Sequence, residues 1–264
     1  MYDFEYHKPG SIADAVKILS ADPDARPISG GQTLLPALKH RLNKPTSVVD
    51  LSGIAELKGI RKEGNKLIIG ALSKHHEVAE SEVVKAAIPA LAMMAGTIGD
   101  TQVRNRGTIG GSVSNNDPAA DYPSAVMALD ATIVTDKRRI AADDFFQGLF
   151  TTALEPGELL VAIEFPIPEK AGYAKMRNPA SRYVMAGAFI AKTGGKVRVA
   201  INGAGPGVFR QTEMETALAA NWSADAVAGV KQSAEDLNSD IHGSAEYRAH
   251  LVTVMAKRAI AAAG

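Results

Sequence analysis

The stretch Thr97 to Asp121, TIGDTQVRNRGTIGGSVSNNDPAAD, constrains this chain more than any other. It holds the pair Gly110-Gly111, a polar run from Ser112 to Asp117 broken only by Val113, and a Pro-Ala-Ala-Asp turn before a short apolar helix. Adjacent residues without Cβ let main-chain N–H groups come close to an anion, and Thr108 and Ser112 add hydroxyl donors. Thr108-Ile109-Gly110-Gly111-Ser112 therefore reads as an anion cradle. A Gly-Gly pair is more often an ordinary turn, so this stretch decides nothing alone.

A second such element lies about eighty residues upstream. Ser29-Gly30-Gly31-Gln32-Thr33-Leu34-Leu35-Pro36 follows a short apolar stretch, Arg26 to Ser29, and runs into LLPALKHRL. The order strand, glycine turn, helix leaves free N–H groups and a positive dipole end at the turn. Two cradles suit a diphosphate better than a single phosphate. The spacing is not GxGxxG, and no Gly-Lys-Ser/Thr follows, so neither a Rossmann site nor a Walker loop fits.

With 264 residues the chain is long enough to bury roughly 70–75% of its unfolded surface, in one to two domains. Lys and Arg number 29 against 29 Asp and Glu, and this balance argues for neither a nucleic acid nor an anionic membrane as partner. No apolar run reaches the roughly 18 residues of a spanning helix. The opening MYDFEYHKPGS lacks the charged-then-apolar pattern of a signal peptide, and a cytoplasmic protein is expected. The sequence contains no cysteine, which excludes disulfides and thiolate-held iron–sulfur clusters or zinc within it.

Along the chain, Ser11 is expected to cap a helix, with Asp14 three residues on. Ile12, Ala15, Val16 and Leu19 share one face of it. With strands at Arg26–Ser29 and Ser47–Leu51 this forms a small β-α-β unit with parallel pairing. From Leu57 the pattern becomes α+β with mostly antiparallel pairing. A hairpin turns at Glu63-Gly64-Asn65, helices start near Ser73 and Ile88, another runs over Pro123–Ala131, and strands fall at Thr132–Thr135, Arg138–Ile140 and Leu159–Phe165. Pro166 to Lys170 reads as a linker. Beyond it lie strands at Tyr173–Met176, Val184–Lys192 and Lys196–Gly203. Helix caps are expected at Thr212 and Ser223, and a long helix over Ser244–Ala263 has Tyr247, Leu251, Val254 and Met255 on one stripe.

GGQTLLP, then TxxQVRNRGTIGGS, then NDPAADYPSAVMALDA resembles the flavoprotein, or medium, subunit of the molybdenum hydroxylases, the group of aerobic carbon monoxide dehydrogenase and xanthine dehydrogenase. The carbon-monoxide-dehydrogenase branch is the nearer, on RNRGTIGGS followed by NNDPAADYP. The resemblance implies an α+β fold: a two-subdomain FAD-binding fold of the vanillyl-alcohol-oxidase/CO dehydrogenase flavoprotein type, plus a C-terminal α+β domain of antiparallel sheet and helices. The expected boundaries are 1–167 for the FAD-binding domain, with subdomains of about 1–55 and 56–167, and 168–264 for the C-terminal domain.

The resemblance also implies the site. Ser29, Gly30, Gly31, Gln32, Thr33, Leu34 and Leu35, with Thr108, Ile109, Gly110, Gly111 and Ser112, would hold the FAD diphosphate, and Ser114 and Asn115 extend that second segment. Asp121 matches an acidic residue on the ribityl or flavin side, and equally reads as a helix N-cap. Leu159 and Leu160 match apolar positions flanking the ring system, and equally read as strand core. Lys175 matches a lysine reaching the pyrimidine end of the isoalloxazine, where a cation favours the anionic reduced flavin; a solvated strand lysine is the competing reading. Tyr183 aligns with an aromatic bordering the flavin face, although Ser181-Arg182 replaces the Gly-Asp usual before it.

Outside these motifs, His75-His76 are read as surface histidines, since neighbours point to different sides and no third metal ligand is visible. Arg104 and Arg106 either neutralise the diphosphate or pin the loop to Asp100 and Glu77. No Cys and no GxSxG supports nucleophilic catalysis. The implied partners are a large molybdopterin-binding subunit and a small [2Fe–2S] subunit, assembled as a dimer of heterotrimers, with a quinone or similar external acceptor. The competing class is a stand-alone FAD oxidase or dehydrogenase of the vanillyl-alcohol-oxidase type.

Overall fold

The computed structural model describes residues 1–263. Its first unit is a three-stranded parallel sheet in which Ser47–Asp50 lies between Glu5–His7 and Arg26–Ile28. Ser47, Val48 and Val49 are all buried, the continuous pattern of a strand covered on both faces. Helix Ile12–Ala21 buries Ala15 and Leu19, and the Ser11 hydroxyl accepts from the Asp14 N–H at 3.1 Å, as the cap reading expects.

The second unit is a five-stranded antiparallel sheet in the order Ile60–Glu63, Lys66–Gly70, Leu160–Pro166, Thr132–Thr135, Arg139–Ala141. Helices His75–Glu80, Pro89–Gly96, Ile109–Asn115 and Tyr122–Ala128 are among those inserted between its second and fourth strands in the sheet. Local propensity does not mark Ile109–Asn115 as helical, because Gly110 and Gly111 are poor helix formers. Thr108 overcomes this as N-cap, its hydroxyl accepting from the Gly111 N–H at 3.1 Å.

The third unit is a four-stranded antiparallel sheet, Lys170–Arg177, Val184–Thr193, Lys196–Asn202 and Phe209–Arg210, in that order. Helices Thr212–Ala220 and Ala245–Ala262 pack on it. Three expectations here are corrected. The cap of the first helix is Gln211, whose side-chain oxygen accepts from the Glu213 and Met214 N–H groups, and Thr212 is already helical. Ser223 closes a turn through the Ala226 N–H rather than starting a helix. On the last helix Tyr247 is 41% exposed, and the buried face carries Arg248 with Leu251, Val252 and Met255.

The three units share packing. One apolar cluster joins Leu67, Ile69, Ile109, Tyr122 and Ile163 to Tyr173 and Phe189 of the third sheet, and so runs across the expected division at residue 167. Backbone and side-chain bonds follow the same seam: the Gly203 N–H donates to Pro118 O at 2.9 Å, and Asn202 Nδ2 donates to Ala120 O at 2.8 Å. The loop entering Asp121 is thus held by the third sheet.

Candidate functional site

The two glycine stretches meet. Ser29 Oγ and Thr108 Oγ1 are 3.1 Å apart, within hydrogen-bond distance. Gly30 lies so close to the other stretch that a Cβ there would fall 2.2 Å from Arg106 O and 2.7 Å from Gly107 Cα. A Cβ on Gly111 would fall 2.7 Å from Ser29 Oγ and 3.0 Å from Thr108 Oγ1. Glycine is therefore required first for the two loops to close on one another.

Their donors differ. Among the described residues, no protein acceptor takes the N–H groups of Gly30, Gly31, Gln32, Thr33 or Leu34, and Gly31 has a positive φ of 72°. Five consecutive free donors at a helix start are the arrangement that binds an anion. The second stretch is already satisfied. Ile109 donates to Ser73 O at 3.0 Å, Gly110 to Ala71 O at 2.9 Å, Gly111 to Thr108 Oγ1 at 3.1 Å and Ser112 to Thr108 O at 3.0 Å. The expected second backbone cradle is corrected on this point, and what that stretch offers is hydroxyls and the bare Cα of Gly111. Ser114 and Asn115 lie half-buried further along the same helix.

The helix carries the chain about 12 Å from Thr108 to Asn116, and a short loop then reaches Asp121. Asp121 stands at the N-cap position of Tyr122–Ala128 but makes no capping bond. Its Oδ1 instead accepts from Lys175 Nζ at 2.6 Å and from Tyr173 Oη at 2.7 Å. Lys175 also donates to Thr97 O at 3.2 Å, and its side chain is only 4% exposed, so the solvated-lysine reading is wrong. The structure thus brings Asp121 and Lys175 together as a buried ion pair.

Leu159 and Leu160 are corrected. Leu159 packs with Ala15, Val49 and Ile54, and Leu160 joins the large central cluster. Both side chains are 5% exposed or less and present no open wall. Tyr183 is 58% exposed and lines a cleft of about 440 Å³ with Asp117, Asn178 and Ser181. Partial burial and the Asp117 carboxylate push its phenol above the ordinary value. Before it, Arg182 has φ of +65°, a left-handed conformation that Gly and Asp tolerate better than Arg.

His75 is corrected as well. It is 5% exposed, its ring centroid 5.4 Å from that of Tyr122, and its Nδ1 has no partner. Burial, and secondarily the charge of Arg104, push its pKa down to about 4. His76 is exposed. Arg104 reaches neither Asp100 nor Glu77; it donates to Ile98 O at 3.0 Å. Arg106 is exposed. Asp100 caps Thr101–Arg104, and Glu77 accepts from the Lys74 N–H at 2.9 Å.

Sequence reasoning missed two residues. Tyr173 falls two positions before Lys175 on one strand face, a period-2 signal that could have found it. Asn116, left-handed at φ 46° and 2% exposed, donates to Gly148 O and Thr151 O and so fixes a hairpin to the end of the site helix. Asparagine after a polar helix end is a C-cap signal.

Residues 2–168 match the family described as FAD binding domain in molybdopterin dehydrogenase, and residues 173–263 match the CO dehydrogenase flavoprotein C-terminal domain. The carbon monoxide dehydrogenase medium chain of Afipia carboxidovorans is 38% identical over 97% of this chain and 95% of its own. The glyceraldehyde dehydrogenase medium chain of Sulfolobus acidocaldarius is 35% identical over 97% of each. Among solved structures, quinoline 2-oxidoreductase from Pseudomonas putida 86 superposes with a TM-score of 0.89 at 31% identity, covering 99% of this chain and 97% of that one. Carbon monoxide dehydrogenase from Hydrogenophaga pseudoflava gives 0.88 at 34%, with 99% and 97% covered.

The fold and the paired glycine stretches define an FAD-binding oxidoreductase subunit. The chain belongs to the FAD-binding medium subunits of the molybdenum hydroxylase family, with carbon monoxide dehydrogenase medium chains and a xanthine dehydrogenase FAD-binding subunit among its relatives.

Proposed function

We propose that this chain is the electron-transfer subunit of a heteromeric molybdenum hydroxylase, taking electrons from [2Fe–2S] clusters on a small partner subunit and passing them to an external acceptor such as a quinone. Substrate would be oxidised at a molybdopterin centre on a large partner subunit, the whole forming a dimer of heterotrimers in the cytoplasm. Among the described residues no helix is long and apolar enough to cross a membrane. Bound FAD supplies exchange between one-electron and two-electron carriers.

The observation that carries this reading is the run of free N–H donors from Gly30 to Leu34 beside the Ser29–Thr108 contact. Those amides and hydroxyls, with the bare Cα of Gly111, fit a diphosphate. Gln32 and Thr33 add exposed side-chain donors at the same turn. Asp121 and Lys175 would stand toward the ribityl and ring end, with Tyr183 at the edge of the open cleft. Leu159 and Leu160 support the site only as core beneath it.

The chain has no cysteine, and no histidine occupies a position recognised for flavin attachment, so FAD is held noncovalently. Apoprotein titrated with FAD should quench flavin fluorescence at one equivalent, and acid precipitation should release all yellow colour. Colour remaining on the precipitated polypeptide contradicts noncovalent binding, and absence of any flavin uptake contradicts the reading as a whole.

A further inference from the structure

Asp121 is a buried carboxylate whose two oxygens have been given different surroundings. Oδ1 accepts from both Lys175 Nζ, at 2.6 Å, and Tyr173 Oη, at 2.7 Å. Oδ2 has no protein donor among the described residues, yet it is not one of the sealed, unpartnered atoms of the interior. The peptide before Asp121 is fixed from the same side: Asn202 Nδ2 donates to Ala120 O at 2.8 Å and lies 3.5 Å from Tyr173 Oη.

The Tyr173 ring is itself packed in the core. It is 3% exposed, and its centroid is 5.8 Å from that of Phe189. Burial, then the Asp121 charge, raises its phenol well above the ordinary value. The hydroxyl therefore remains a proton donor at any working pH. A single well-placed donor on a carboxylate already bound to an ammonium adds little charge compensation, but it fixes the carboxylate's rotation.

We propose that Tyr173 and Asn202, both from the third sheet, are positioning residues that lock Asp121 through Oδ1 and its preceding peptide, leaving Oδ2 as the atom presented to the flavin cofactor. This rests on the FAD reading above and extends it to residues of the C-terminal sheet. That sheet then acts on the cofactor through Asp121 and serves more than packing and assembly.

The test is a double-mutant cycle on the full chain, read by FAD titration of apoprotein and by the reduction potential of the bound flavin. Tyr173→Phe keeps the ring and removes the hydroxyl; FAD should bind about 5–20-fold more weakly, and the potential should shift because the carboxylate is no longer held in one rotation. In an Asp121→Asn background the same change should add less than about 2-fold, since its effect passes through Asp121. Equal weakening in both backgrounds makes Tyr173 merely structural and overturns the proposal, as does a Tyr173→Phe protein with wild-type affinity and potential. Asn202→Ala is the second arm, decisive where Tyr173→Phe does not fold: about 2–5-fold weaker binding is expected, and unchanged binding and potential overturn the proposal. A wild-type chain that takes up no FAD sinks both this and the reading it rests on, whereas wild-type binding with silent variants sinks this alone.

Discussion

Ser29 Oγ lies 3.1 Å from Thr108 Oγ1 although 79 residues separate them. This contact closes the parallel unit onto the helical insertion of the antiparallel one, and both glycine pairs are arranged around it. A Cβ at Gly30 would meet backbone, whereas one at Gly111 would meet only the two hydroxyls.

The difference gives a prediction. Gly111→Val should abolish FAD binding, at least 100-fold weaker in a fluorescence titration, while the fold persists: valine is no worse a helix former than glycine, and disturbing the Thr108 cap costs about 0.5–2 kcal/mol. Gly30→Ala should instead lose roughly 1–3 kcal/mol or more through overpacking against Arg106 O. Thermal melts of the apoproteins separate the two. A Gly111→Val protein with stoichiometric flavin would reduce that pair to a turn.

Much of this was legible in sequence. Ser11 and the Lys66–Gly70 strand were readable because local chemistry fixes them: a hydroxyl before an apolar period, or a short apolar run after a glycine turn; the last helix was readable too, though Ser244 caps it rather than beginning it. The glycine stretches were legible as ligand loops. Their division of labour was not, because it depends on Ser73 and Ala71 supplying carbonyls to Ile109 and Gly110 across the fold. His75 failed for the same reason: its burial comes from packing on Tyr122 and Gly107, distant in sequence. Leu159 and Leu160 show that a motif position and a core position are indistinguishable until the neighbours are placed.

Lys175→Met should destabilise the chain by about 3–5 kcal/mol, since it leaves the buried Asp121 carboxylate without its cation. The double variant Asp121→Asn with Lys175→Met should recover most of that loss. Urea unfolding of the three proteins checks this, and a double variant as unstable as the single one contradicts it.

His75 makes stability depend on pH. Its folded pKa of about 4 lies below the ordinary histidine value of 6.5, so the unfolded chain binds the extra proton and stability falls as pH drops from about 6.5 to 4. The full contribution is about 3 kcal/mol. His75→Gln should flatten the unfolding free energy over that window. Glu158, held at about 2 chiefly by Arg138, acts below it: its stabilisation is present above 4.5 and lost as pH falls toward 2. An unchanged slope between pH 6.5 and 4 in the variant would rule out His75 as the cause.

Arg182 holds a left-handed backbone at φ +65°, a conformation that costs a residue with a Cβ. Arg182→Gly should stabilise the chain by roughly 0.5–1 kcal/mol, seen as a higher melting temperature. A lower melting temperature would mean that the guanidinium contact with Gly99 O outweighs the strain.

Iron–sulfur clusters of this kind need thiolates, and the chain has no cysteine, so the FAD-loaded chain alone has no route from a substrate-oxidising centre. Carbon monoxide, purines and aldehydes, added without oxygen, should leave the flavin absorption of the isolated chain unchanged, while dithionite bleaches it. Reassembly with a cysteine-rich small subunit and a large molybdenum subunit should restore substrate-driven bleaching. Rapid bleaching of the lone chain by any of these substrates would make it a self-sufficient flavoenzyme, and the subunit reading would be wrong.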